Sequence, residues 1–164
     1  MPVAELHPFV LHFAVALLLA APVCDALGLL LRREPLLYAG RWNTLLGAGA
    51  AVLAVVTGLA AEAALGPHSA AGEALLQLHE ALGYVLVVVW TPVAVWRGLS
   101  KLALPQRART LYLTAAFVGA AITLAQAVLG SALVYRHGVG LSAAARVEPT
   151  PHSTTRIPVD KTAH

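Results

Sequence analysis

Four stretches of this chain are long and apolar enough to leave water altogether. They run over about 8–31, 42–65, 75–96 and 110–135. A helix of about 20 residues, rising 1.5 Å per residue, crosses a hydrocarbon core of roughly 30 Å. Only 12% of the 164 residues are charged and 59% are hydrophobic, whereas soluble domains carry about 25% charge. A soluble fold is therefore excluded, and an all-α integral membrane protein is expected. Short connections force neighbouring helices antiparallel, so the expected architecture over 1–140 is an up-down-up-down four-helix transmembrane bundle.

The charges set the expected orientation. Arg32, Arg33 and Arg41 lie between the first two runs, and Arg97, Lys101, Arg107 and Arg109 between the last two. No lysine or arginine precedes Arg136 on the opposite side. The positive-inside rule then places both basic connections in the cytoplasm and both termini outside an inner membrane. This basic balance is explained by topology, without a nucleic-acid partner. The first run reads as a retained helix, because Met1–His7 carries no basic residue and no small-residue cleavage site follows a short apolar core. Cys24 is the single cysteine and lies within that run, so no internal disulfide forms. "LRREPLLYAGR" reads as a turn with Pro35 and Gly40, and "RGLSKLALPQRAR" as a turn broken by Pro105. Ser69 is placed to cap the third helix. The tail over 141–164, rich in Pro, Ser, Thr and charge, is expected to stay disordered.

Histidine marks the other face. His12 lies about one turn into the first helix, His79 about one turn into the third, and His137 just past the fourth, with His7 and His68 in the adjoining segments. Five of seven histidines thus share one layer. The first and third helices are diagonal in a bundle of this order, so His12 and His79 are candidates to ligate a flat haem b axially, with His137 and His7 as alternates. Gly83, four residues after His79, is joined at similar depth by Gly58, Gly130 and Ala16, and small residues there would leave a slot. His7 and His12 are about 140° apart on a continuous helix. The competing use of the same imidazoles is copper or zinc, with Glu62 or Glu80 completing or orienting the site. No HExxH, paired CxxC or hydrolytic triad occurs, so the chain reads as no enzyme by itself.

Other polar groups sit inside the apolar runs. Asp25 lies in a different layer, toward the basic end, where it either snorkels or pairs with Arg97 or Arg109. Gln126 is placed to hydrogen-bond across the bundle, and Gly47, Ala51, Ala54 and Gly58 offer close backbone packing within it or against a partner. Pro92 would kink the third helix unless a neighbour satisfies the freed carbonyl.

The two ends carry a resemblance. "HPFVLHFAVALL" followed by Asp25, and the closing "LVYRHGVG" from Leu133 to Gly140, are similar to the HPxxVHFPIALL and LVYRHGVGV patterns of a bacterial family of predicted four-helix membrane proteins, domain of unknown function 2231. His7, Pro8, His12, Phe13, Ala16 and Leu17 match the opening, and Leu11 and Ala14 depart from it. The resemblance implies the four-helix membrane fold. It also points to His7, His12, Arg136 and His137 as site residues, and to a setting beside c-type cytochromes or Rieske-type redox proteins. Arg136 would pair a haem propionate or a lipid phosphate. The leading expectation is a haem-binding electron-transfer subunit near the extracytoplasmic face. The alternative is a non-catalytic membrane scaffold or assembly subunit of a larger complex.

Overall fold

With no water to satisfy peptide groups in lipid, an apolar run must close its hydrogen bonds within itself, and the helix does so. The computed structural model, which describes residues 3–63, 65, 69–100, 102 and 106–140, contains four such helices. They are α1 (Val3–Leu30), α2 (Glu34–Glu62), α3 (Ala70–Leu99) and α4 (Gln106–His137). All four are long and apolar enough to cross a membrane. His68, Lys101, Pro105 and the tail expected to be disordered lie outside the described residues.

The helices run further than the apolar pattern suggests, and each extension has a local cause. The segment containing Pro35 and Gly40 is helix, not turn: α2 begins at Glu34, with extended Arg33 as its cap and proline in the first turn, where a missing N–H costs nothing. The connection to α1 shrinks to Leu31–Arg33. Ser69 caps α3 as expected, its hydroxyl accepting from the Gly72 N–H. That helix continues unbroken through Pro92 and past Trp96, taking Arg97 into its last turn. At the end of α4, Gly138 turns left-handed at φ 62° and its N–H donates to the Val134 carbonyl. Such a reversal favours glycine, which has no Cβ to clash. Val139, just beyond, tucks against Gly72 of α3.

Each helix packs on its chain neighbours, and α4 closes the ring onto α1; among the described residues α1 and α3 stand diagonally with no close backbone approach, meeting through side chains. The interior is built by large side chains seated on glycines. Leu18 of α1 lies over Gly47 of α2, and Trp90 of α3 over Gly119 of α4. The Trp90 indole N–H also donates to the Thr123 hydroxyl of α4 at 3.1 Å. Outward, Phe9, Phe13, Trp42 and Val88 are exposed, as lipid-facing side chains are in a membrane protein.

The two knobs occupy the same place in two copies of one unit. Trp90 stands 72 positions after Leu18 and Gly119 stands 72 after Gly47, while α4 begins 72 after α2. Of the twelve buried positions in α1 and α2, ten have a buried counterpart 72 residues on; the exceptions are Gly28 and Leu37, matched by half-buried Ser100 and Arg109. The chain is thus two helical hairpins in parallel, related by an approximate two-fold axis along the bundle, an arrangement known in membrane proteins built from internal repeats.

Candidate functional site

Polar side chains meet on that axis at both ends of the bundle. At the basic end Asp25 and Arg97, another pair 72 positions apart, are both fully buried. The Arg97 Nη2 donates to Asp25 Oδ1 at 2.9 Å and to the Leu37 carbonyl at 2.9 Å. Its Nε reaches Asp25 Oδ2 at 3.4 Å. The Tyr112 hydroxyl of α4 donates to the same Oδ2 at 2.6 Å, and its ring lies 5.8 Å below the guanidinium. Thr44 of α2 approaches the Tyr112 hydroxyl at 3.5 Å. Gly40 explains the room for this cluster, because a Cβ there would overlap the Asp25 carboxylate. Every helix contributes, and the two charges neutralise each other. Asp25 therefore pairs with Arg97, not Arg109, and Arg97 belongs to the buried core of α3 rather than to the basic connection.

The opposite end is the histidine end. The rotation along α1 turns His7 inward and leaves His12 exposed, with its Nδ1 on the Pro8 carbonyl of its own helix. The structure therefore brings His7, not His12, to the level of His79, the two rings seated on Gly58 and Gly130. They too are 72 positions apart. Each half-buried ring sits on a glycine of the neighbouring helix, His7 on Gly58 and His79 on Gly130, where an added Cβ would come within 3.1 Å. Two of the small residues expected to leave a slot thus seat imidazoles, while Ala16 faces outward. Gly83 is buried against the Gln126 amide.

Each imidazole has one nitrogen engaged by the helix it leans on. His7 Nδ1 lies 2.8 Å from the Ala54 carbonyl, so it carries the proton and donates, leaving a lone pair on Nε2. At the counterpart of Ala54 stands Gln126, whose Nε2 donates to the His79 carbonyl at 2.8 Å and approaches His79 Nε2 at 3.3 Å. Among the described residues, the buried His79 Nδ1 and Gln126 Oε1 have no hydrogen-bond partner. His137 is half-buried at the end of α4 with its Cβ side toward Gly72, and Arg136 beside it is exposed. Glu80 accepts from the Tyr84 hydroxyl at 2.9 Å on the lipid side. Among the described residues no three His, Cys, Asp or Glu side chains gather as a metal-binding group.

A family model described as predicted membrane protein (DUF2231) matches residues 4–143. The chain belongs to this family. No curated protein and no solved structure matches it. In this DUF2231 protein the residues that sequence reading passed over are Tyr112, Thr44, Trp90 and Thr123, and Gly40 reads there as a turn residue. The signal that would have exposed them was the spacing of 72 linking His7 to His79, Gly47 to Gly119 and Gly58 to Gly130.

Proposed function

We propose that this membrane protein works as an electron-transfer subunit, in which the His7 and His79 imidazoles would hold a b-type haem at the histidine end of the bundle. The observation that carries the reading is the repeat-related pair itself. Two imidazoles from diagonal helices stand on glycines 72 positions apart, His7 with a lone pair on Nε2 and His79 with Nε2 accepting from the Gln126 amide at 3.3 Å. A ligating histidine ordinarily donates its other ring N–H to a carbonyl, as His7 does to Ala54. Two imidazoles with no third donor gathered beside them among the described residues suit haem iron better than zinc, which takes three or four protein ligands. When bound, such a haem supplies a one-electron carrier. The Ala54 carbonyl and the Gln126 amide would hold the rings, Gly58, Gly83 and Gly130 would keep the neighbouring backbones close, and Arg136 would reach a propionate. His12 and His137 remain the alternates at the same end. The positive-inside rule makes this the extracytoplasmic end of an inner-membrane protein, where c-type cytochromes or Rieske-type proteins would exchange electrons with it.

The test is a difference spectrum of detergent-purified protein, dithionite-reduced minus oxidised, with a pyridine haemochrome assay. Near-stoichiometric haem with sharp α and Soret bands is expected. His7→Ala and His79→Ala should lose both bands, whereas His12→Ala should keep them. A featureless spectrum from folded, haem-supplied protein sinks the reading. It would favour the scaffold alternative, supported by the four-helix polar cluster at the basic end, where the buried charges satisfy each other.

A further inference from the structure

At the basic end, α1 closes with a residue in an unusual backbone conformation. The Arg33 N–H donates to the Gly28 carbonyl at 2.9 Å, the closing bond of a Schellman cap. The position that must turn left-handed in that cap is Arg32, at φ 51°. Glycine takes this conformation freely, whereas a side chain pays of order 1 kcal/mol for it. Among the described residues Arg32 is the single non-glycine with positive φ. An outlier of this kind points from strain to function.

Arg32 lines a cavity of about 380 Å³ whose walls are Gly28, Leu29, Leu37, Glu34 and Arg109. Among the described residues the buried Arg109 Nε has no hydrogen-bond partner. Two guanidiniums against one carboxylate, that of Glu34, leave the cavity positive. Arg109 also begins a second cavity of about 540 Å³, open to the lipid side along α4 and floored by Leu113, Phe117, Val118 and Ala121. From Arg109 to Ala121 the helix rises about 18 Å, comparable with the roughly 15 Å of hydrocarbon in one leaflet.

We propose that these two cavities, which share Arg109 in their walls, bind one anionic phospholipid, its phosphate held between Arg32 and Arg109 and an acyl chain lying in the α4 groove. Charge complementarity and the Arg109 wall common to the cationic pocket and the apolar groove select this occupant over a free anion, which needs no groove. Basic pockets between membrane helices hold anionic headgroups for the same reason. The site rests on no part of the haem reading, being at the other end of the bundle.

The test measures lipid retention by the delipidated full-length protein in detergent, using native mass spectrometry with phosphatidylglycerol and phosphatidylcholine as probes. Wild type should retain phosphatidylglycerol about ten-fold more tightly. Arg32→Gly should keep or raise the thermal midpoint, since it relieves the left-handed strain, yet bind phosphatidylglycerol about five-fold more weakly. Arg109→Gln should weaken it similarly. Equal retention of the two lipids, or Arg32→Gly binding like wild type, overturns the proposal. Displacement of phosphatidylglycerol by millimolar inorganic phosphate overturns it in favour of a free-anion site.

Discussion

Asp25 and Arg97 show how one residue's meaning depends on what the fold sets against it. Alone at membrane depth, either charge costs several kcal/mol to strip of water. Together, with the Tyr112 hydroxyl on the carboxylate and the Leu37 carbonyl on the guanidinium, they form a closed network. Removing one partner leaves the other charged and unpaired, so Asp25→Ala or Arg97→Leu is expected to destabilise the bundle by about 3–5 kcal/mol. Replacing both by leucine should restore most of that loss. Thermal unfolding in detergent micelles checks both, and a double variant as unstable as the singles would show that the pair does more than neutralise itself. Asp25 was visible in the sequence as an acid in an apolar run, and its partner was narrowed to Arg97 or Arg109. The choice was not legible, because it turns on three residues by which α3 outlasts its apolar run, and on Gly40, which reads as a turn residue until the Asp25 carboxylate is seen against it.

The helices themselves carry little sidedness. A soluble helix announces its buried face by alternating apolar and polar residues, but in lipid both faces are apolar and the contrast disappears. This is why the sequence puts His12 first and His7 only as an alternate, while in the structure only His7 turns inward. What remains legible along an element is its ends. Ser69 caps α3 through the Gly72 N–H at 3.1 Å. Ser69→Ala is expected to cost about 1 kcal/mol, read as a lower thermal midpoint with unchanged helical content. No loss of stability would mean that the tuck of Val139 onto Gly72 holds this end without the cap. The small-residue stripe of α2 also finds its use here. Gly47 and Gly58 seat Leu18 and His7 from α1, so the stripe serves the bundle's own hairpin.

At the scale of the molecule, the two hairpins behave as repeated units that meet along the axis. Helices that insert independently and then associate should tolerate a break between the units. Two co-expressed chains, 1–66 and 67–164, are expected to co-purify from membranes through a tag on either one. Asp25→Ala in the first chain should abolish recovery of the second, because the buried ion pair crosses from hairpin to hairpin. Recovery unaffected by that change would place the association elsewhere, in the Arg41 hydrogen bonds to the Gly98 and Ser100 carbonyls and in the apolar core the hairpins share. The repeat also explains why site residues occur in pairs: a position and its counterpart lie at one level, as His7 and His79 do, and near the axis they meet, as Asp25 and Arg97 do. At 72 positions the identities are few and most are Leu, Val, Ala or Gly, so against a background rich in these residues the spacing fades until burial is compared.

The sequence by itself determined that the chain spans the membrane four times and belongs with the DUF2231 proteins. Span length, charge scarcity and end motifs are properties of the chain read in one dimension, and water's exclusion of apolar runs acts on them directly. Only the tertiary structure decided which histidine faces inward, which arginine neutralises Asp25, and that ten buried positions recur in register. These depend on the rotation of each helix about its own axis, and in lipid that rotation is set by knobs fitting glycine notches across helices, not by any polarity written along the chain.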